Sequence, residues 1–305
     1  MEERYREDGM PAEVISQLAA WGHRVDVLYP GSTLLPLAET VRAGSHDAWV
    51  LKTVSGGPGL SLLESAAVVG LVTVNDVRSV RGVRDKAVAG VVGRVGGLPV
   101  PRTYSVAHPG LLVGVPEGEF PLVVKPAEGS SGRAVRLVRS PGEVAGVAGE
   151  LAGEGLLIAQ PYVPNSGADL KVYCVGGELF ATERASPLHP GRGVAERRVG
   201  VPSEVAGLVL RAGSVYGLDL FGVDVVFGPD GPVIVDVNDF PSFRQVPDAA
   251  ARVAGAVVDL ARGGGGGVSS ACSRAEDVPS ASVSSQFWER VRASSQVPAA
   301  TGEGG

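Results

Sequence analysis

Residues 218–240 read LDLFGVDVVFGPDGPVIVDVNDF. Two valine-rich runs flank a Pro-Asp-Gly turn, and such a pair satisfies its backbone by closing as an antiparallel hairpin. A turn centred on Asp230 pairs residues whose numbers sum to 460, which sets Asp224 opposite Asp236. Alternation along a strand puts Asp236 and Asn238 on one face, and opposed residues lie about 4.5–5.5 Å apart at Cβ. Two carboxylates and an amide oxygen therefore converge. Val223, Val225, Val233, Val235 and Val237 form the apolar reverse. Like charges facing each other in such a hairpin are destabilising unless a cation lies between them. Hard oxygen donors in small number suit Mg²⁺ or Mn²⁺ carrying phosphates. The competing reading is a solvated acidic face.

Two further stretches carry chemistry. In LVVKPAEGSSGRAV (122–135) Lys125 closes an apolar strand, and Glu128, Gly129, Ser130, Ser131 and Gly132 make a turn of small residues. Such a turn lets backbone N–H groups come close to phosphate oxygens. It lacks the GK[ST] of a P-loop. In ADLKVYCVGGELFATER (168–184) the Gly176-Gly177 pair predicts a type I′ hairpin whose partners sum to 353. Asp169 then faces Arg184, Lys171 faces Thr182, and Leu170, Val172 and Cys174 line the other side. That polar face is either a salt-bridged surface or a basic wall over a transferring phosphoryl group.

Around these motifs the order of elements predicts an α/β part followed by an α+β part. Helices are expected near 11–21, 60–69 and 77–95, with strands at 25–29, 48–54 and 71–74, giving a parallel α/β lobe over 1–98. A hairpin (122–125 with 134–138), a helix opened by a Ser140–Glu143 capping box, and a strand at 156–160 make a second lobe over 99–163. The two hairpins above, with helices at 204–216 and 248–261, make a third over 164–261. Residues 262–305 are Gly/Ser/Ala-rich without periodicity, the composition of a disordered tail.

Composition narrows function mainly by exclusion. A net charge of -6 disfavours nucleic acid as a partner. No apolar run approaches a membrane span, and the charged start, MEERYREDGM, is unlike a signal peptide. Two cysteines without metal or redox spacing fit the cytoplasm. The 27 basic residues include only four lysines, Lys52, Lys86, Lys125 and Lys171. A chain that otherwise uses arginine keeps lysine where a compact ammonium is needed.

Taken in order, Asp85-Lys86, Lys125 with its glycine turn, LLIAQPYV (156–163), DLKVY…ER (169–184) and FGVDVVF…VIVDVNDFPSF resemble the ATP-grasp superfamily. The likeness is to RimK-type glutamate ligases and inositol trisphosphate kinases, and covers about residues 20–260. It implies two α+β lobes clasping ATP beside an N-terminal α/β lobe. By the same likeness Lys86 and Lys125 contact ATP phosphates, and Gln160, Pro161, Tyr162 and Val163 hydrogen-bond adenine. Asp169 and the 128–132 turn join that cofactor set, and Asp224, Asp236 and Asn238 hold Mg²⁺. Pro161 stands where an acidic residue is common, and SPLHPGRGVAERR (186–198) replaces the family's arginine- and asparagine-bearing loop. No apolar run precedes residue 11 to match the family's first strand.

Three functions follow from this resemblance. A ligase would activate a carboxylate as its acyl phosphate and join it to the amine of a small molecule or peptide, with Arg184 and Lys171 at the reacting groups. A kinase would phosphorylate a polyol or inositol phosphate, with His189, Arg192, Arg197 and Arg198 on substrate phosphates. A nucleotide-binding module without turnover is the third. The ligase is the leading expectation.

Overall fold

The computed structural model describes residues 1, 9–43, 46–53, 57–129, 134–186, 188–189 and 195–263. The N-terminal part holds α1 (Gly9–Ala20), α2 (Leu37–Ala43), β1 (Trp49–Val50), α3 (Gly59–Val68), β2 (Thr73–Val74), α4 (Val77–Arg84) and α5 (Lys86–Val95). Its two short strands run parallel, Trp49 beside Thr73. A four-stranded antiparallel sheet follows, built from β3 (Tyr104–Val106), β4 (Leu122–Pro126), β5 (Arg136–Val138) and β6 (Leu157–Pro161) in the order β3-β6-β4-β5, with α6 (Val144–Leu151) against it. The last part contains β7 (Ala168–Val175), β8 (Glu178–Ala185), β9 (Arg197–Val199), α7 (Ser203–Tyr216), β10 (Leu220–Gly228), β11 (Gly231–Asn238) and α8 (Ala249–Arg262). Its five strands lie in the order β11-β10-β7-β8-β9.

Period-2 burial explains the layering of the large sheet. Leu170, Val172, Cys174, Val223 and Val225 point to the side covered by Val205, Val209 and Ala212 of α7. The opposite face buries Tyr173, Val175 and Leu220 against Val253 and Val257 of α8 and Met10 and Val14 of α1. The small sheet packs Leu122, Val124, Val138 and Leu157 on Val144 and Leu151 of α6.

Several local expectations need correction. Residues 25–29 form no strand: the Leu28 carbonyl accepts from the chain's own α-amino group at 2.6 Å, and Asp26 turns to His46 at 2.6 Å. The strand expected over 48–54 shrinks to two residues, and Val54 lies outside the described residues. The helix expected over 77–95 is two helices, because Asp85 takes an extended conformation and its carboxylate caps α5, accepting from the N–H groups of Ala87 and Val88. Ser140 makes no cap bond; Glu143 accepts from the Arg139 N–H instead. Other readings match. Gly176 and Gly177 both have positive φ, 58° and 86°, as a type I′ turn requires, and Asp169 pairs with Arg184 and Lys171 with Thr182.

The β10–β11 hairpin reaches the expected pairing by another route. Gly228 pairs with Gly231 across a two-residue turn, a sum of 459, and this register holds as far as Val225 with Ile234. A bulge then places Val235 opposite no residue, after which Asp224 pairs with Asp236 and Gly222 with Asn238. Ile234, not Val233 or Val235, therefore fills the core beside Val225.

Candidate active site

A cleft of about 510 Å³ opens between the two sheets. Its floor follows β10, where Val226 and Asp224 line the cleft and alternation puts Gly222 next on the same face, a span of about 13 Å at the usual rise per residue. Lys171 lies beside Asp224 and Tyr173 beside Gly222 on the neighbouring strand. The cleft is thus apolar at one end, charged in the middle and aromatic at the other.

The apolar lining comes from Val226 of the large sheet and Val123 of the small one, together with Pro161, Tyr162 and Val163. The Tyr162 N–H donates to the Pro121 carbonyl at 2.7 Å. Pro121 has no N–H to return to Tyr162. β3 begins at Tyr104, opposite Ala159, so among the described residues no strand lies against the outer edge of Pro161. The Gln160 side chain is committed to Thr103, its Nε2 donating at 3.0 Å. Backbone, not side chains, is what this edge offers to a flat polar ring.

The middle holds the charges. Lys171 Nζ donates to Asp224 Oδ1 at 2.7 Å and Arg184 Nη2 to Asp224 Oδ2 at 3.0 Å. The Arg184 Nε–H is buried with no acceptor. Lys125 crosses from the small sheet, donating to the Val235 carbonyl at 3.0 Å and lying 3.9 Å from Asp236 Oδ1. The bulge makes this contact possible, since it turns the unpaired Val235 toward the cleft. Burial holds the Lys125 ammonium below its ordinary pKa, partly offset by Asp236. For Asp236 burial opposes ionisation, yet Lys86, Lys125, Lys171 and Arg184 outweigh it and the carboxyl sits below the usual range. Asp169 goes the other way: burial and then the Asp224 charge push its carboxyl up, and its Oδ1 is buried without a partner. Burial and Asp224 also push the Tyr173 phenol up to about 12.

Lys86 opens α5 and donates to the Gly129 carbonyl at 2.7 Å, tying the helix to the start of the glycine turn. Glu128 departs from expectation: its side chain is exposed and its backbone bridges to Asp85, so it does not line the cleft. Ser130, Ser131, Gly132 and Arg192 lie outside the described residues.

Among the described residues no three His, Cys, Asp or Glu side chains cluster to hold a metal. The nearest set is Asp224, Asp236 and Asn238, and its chemistry fits a hard divalent cation. Asp236 has no cation closer than Lys125, and the Asn238 amide nitrogen is buried without a partner, so neither group is committed to a close protein contact. Asp224 is committed, through Lys171 and Arg184. Those cations are the natural partners of phosphate, and their transfer to it would release the carboxylate.

Sequence reading gave no site role to Lys52, which reaches the cleft from the N-terminal part. Lys52 Nζ donates to the Phe240 and Pro241 carbonyls at 2.9 and 3.3 Å and lies 5.4 Å from the Phe240 ring centre. Its signal was the scarcity of lysine: all four lysines line this cleft. Gly222 on β10 was also passed over: a Cβ there would stand 3.1 Å from Pro241 Cγ and 3.3 Å from the Tyr173 ring.

A family model described as a RimK-like ATP-grasp domain matches residues 113–260. Residues 113–260 thus resemble a RimK-like ATP-grasp domain. Every cleft residue from Val123 to Arg244 lies inside the matched span, while Lys52, Lys86 and Pro101 precede it. A probable alpha-L-glutamate ligase of Vibrio parahaemolyticus serotype O3:K6 is 28% identical over 66% of this chain and 71% of its own length. One from Methanococcoides burtonii is 26% identical over 84% and 88%. A RimK domain ATP-grasp protein from Sphaerobacter thermophilus superposes with a TM-score of 0.66 at 23% identity, covering 82% of this chain and 94% of that one. D-alanine–D-alanine ligase from Bacillus anthracis, complexed with ATP, gives 0.62 at 16% identity, covering 83% and 91%. The fold is ATP-grasp, and the Vibrio, Methanococcoides and Bacillus proteins are named as ligases, in line with the expected enzyme class. Among the described residues no helix is long and apolar enough to cross a membrane.

Proposed function

We propose that the protein is an ATP-dependent carboxylate–amine ligase that joins an amino acid or peptide through an acyl phosphate. The observation that carries this reading is the convergence, in one cleft, of Lys86, Lys125, Lys171 and Arg184 on the paired carboxylates Asp224 and Asp236. The base of ATP lies between Val123 and Val226 with its polar edge toward the 160–163 backbone. Lys125 and Lys86 take the phosphates from the side of the small sheet. Lys171 and Arg184 face the transferring group, and the unspent Arg184 Nε–H is a donor for the charge that spreads there. A Mg²⁺ or Mn²⁺ held by Asp236, Asn238 and the released Asp224 would neutralise phosphate charge.

The substrate carboxylate then approaches from the Gly222–Tyr173 end. Its oxygen attacks the γ-phosphorus and ADP departs; the amine attacks the acyl carbon and phosphate departs. Arg244 and Glu196 line this end and offer charges of both signs to a zwitterionic partner. The relatives' names favour amide formation over phosphorylation of a hydroxyl. The test is to incubate the protein with ATP, Mg²⁺ and pooled carboxylates and amines, measuring ADP, free phosphate and product mass. ADP and phosphate released in equal amounts only when both substrates are present, with a condensation product, is the expected result. Stable phosphoryl transfer to a hydroxyl without free phosphate would overturn it.

A further inference from the structure

We infer that Arg84 is a positioning residue for the metal end of the cleft, acting through Asp239 on Asn238; this rests on the proposed role of Asn238 as a metal ligand. Asn238 ends β11, an edge strand of the five-stranded sheet. Its ladder partner Gly222 holds it from one side only, and its side-chain nitrogen, though buried, makes no hydrogen bond. Nothing on its own amide nitrogen fixes its orientation. What fixes it is the next residue.

Asp239 is held by both its main chain and its side chain. Asn75 Nδ2 donates to the Asp239 carbonyl at 2.6 Å and to the Leu220 carbonyl at 2.8 Å, and Asn75 Oδ1 accepts from the N–H groups of Asp219 and Leu220 at 3.0 and 2.9 Å. One side chain thereby pins the end of β11 to the start of β10. Arg84, 8% exposed at the end of α4, holds the carboxylate as a fork: Nε to Oδ1 at 3.1 Å and Nη2 to Oδ2 at 2.9 Å. The same guanidinium donates through Nη1 to Thr53 Oγ1 at 3.1 Å and through Nη2 to the Thr53 carbonyl at 3.0 Å. Asp239 does not line the cleft, so it is no ligand itself.

The sequence Arg84-Asp85-Lys86 makes the arrangement a ruler. Arg84 fixes the residue after Asn238, Asp85 caps α5, and Lys86 reaches the glycine turn from the helix start. The spacing between the metal ligand and a phosphate lysine is set by three consecutive residues at one helix junction. Residues that orient ligands from behind typically change metal affinity by about 10–100-fold when removed.

The test uses Mn²⁺ as the probe with a non-hydrolysable ATP analogue, measuring binding by calorimetry and by the Mn²⁺ resonance signal. Asp239→Asn and Arg84→Met should each weaken Mn²⁺ binding in the presence of the analogue about tenfold, with binding of the metal-free analogue unchanged. Arg84→Lys keeps the charge but not the fork, and should restore melting temperature more than Mn²⁺ affinity. Mn²⁺ affinity within about twofold of the parent in both Asp239→Asn and Arg84→Lys, with only melting temperature lowered, overturns the inference. Asp236→Asn is the control. If it loses Mn²⁺ binding while the Arg84 and Asp239 variants retain it, the positioning role alone fails; if it too retains binding, the metal reading falls and the positioning role with it.

Discussion

Asp224→Ala is the substitution whose effect the structure fixes best, because that carboxylate is both a proposed ligand and the counterion of two cations. Its oxygens accept from Lys171 and Arg184, and all three side chains are largely withdrawn from water, 11% exposed for Asp224 and Lys171 and 32% for Arg184. Removing one partner of a buried ion pair costs about 3–5 kcal/mol, since the remaining charge is stranded. Lys171 is the more deeply stranded of the two. For a fold of this size the loss corresponds to a fall in melting temperature on the order of 10 °C. Asp236→Ala should behave differently. Its side chain is 28% exposed and its nearest cation lies 3.9 Å away, so the cost is about 1 kcal/mol. Both variants should lose turnover. The assay is thermal unfolding of both proteins without ligand, repeated with ATP in the absence of divalent metal. Phosphate oxygens can replace the missing carboxylate as partners of Lys171 and Arg184, so nucleotide alone should raise the melting temperature of Asp224→Ala more than that of the parent. Equal, small losses in the two variants, with no added nucleotide response, would refute the reasoning.

Two other measurements probe separate parts of the site. Lys125→Ala should weaken ATP binding about tenfold or more, the worth of a charge-assisted contact, as read by calorimetric titration; unaltered affinity removes Lys125 from the phosphate site. Asp169→Asn should stabilise the protein at neutral pH. The folded-state carboxyl pKa is raised, first by burial and then by Asp224, so its contribution to stability is full below the ordinary carboxylate range and is lost as pH rises through the raised value. The stability gain of the variant should therefore shrink as pH falls toward about 4, and a gain absent at pH 7 would show that the charged form is not strained.

Most of the C-terminal half was legible because it is made of hairpins. A two-residue glycine turn and period-2 alternation are local rules, and they placed Asp169, Lys171 and Arg184 on one face without reference to the rest of the chain. The N-terminal part was less legible because its contacts are distant. Residues 25–29 have strand composition, but the carbonyl of Leu28 and the carboxylate of Asp26 find partners at Met1 and His46. Asn75 and Arg84 received no site role from the sequence, and their partners in the C-terminal part lie 144–164 positions away. Spacing along the chain carries no trace of such pairings.

The Asp224–Asp236 pairing teaches something narrower. Counting from a turn centred on Asp230 gives the right partners, yet the turn is Pro229-Asp230, which alone would put Asp224 opposite Val235. The bulge at Val235 adds back the one residue that the shorter turn removes. Without it the period-2 rule would send Asp236 and Asn238 to the helix-covered face, where a carboxylate has no partner, and would bring Val237 into the cleft in their place. With it, Asp236 and Asn238 reach the cleft and the Val235 carbonyl is left to accept from Lys125. The irregularity in the ladder is therefore what lets Lys125 on one sheet and Asp236 on the other lie within 4 Å, the approach that the proposed phosphate and metal roles require.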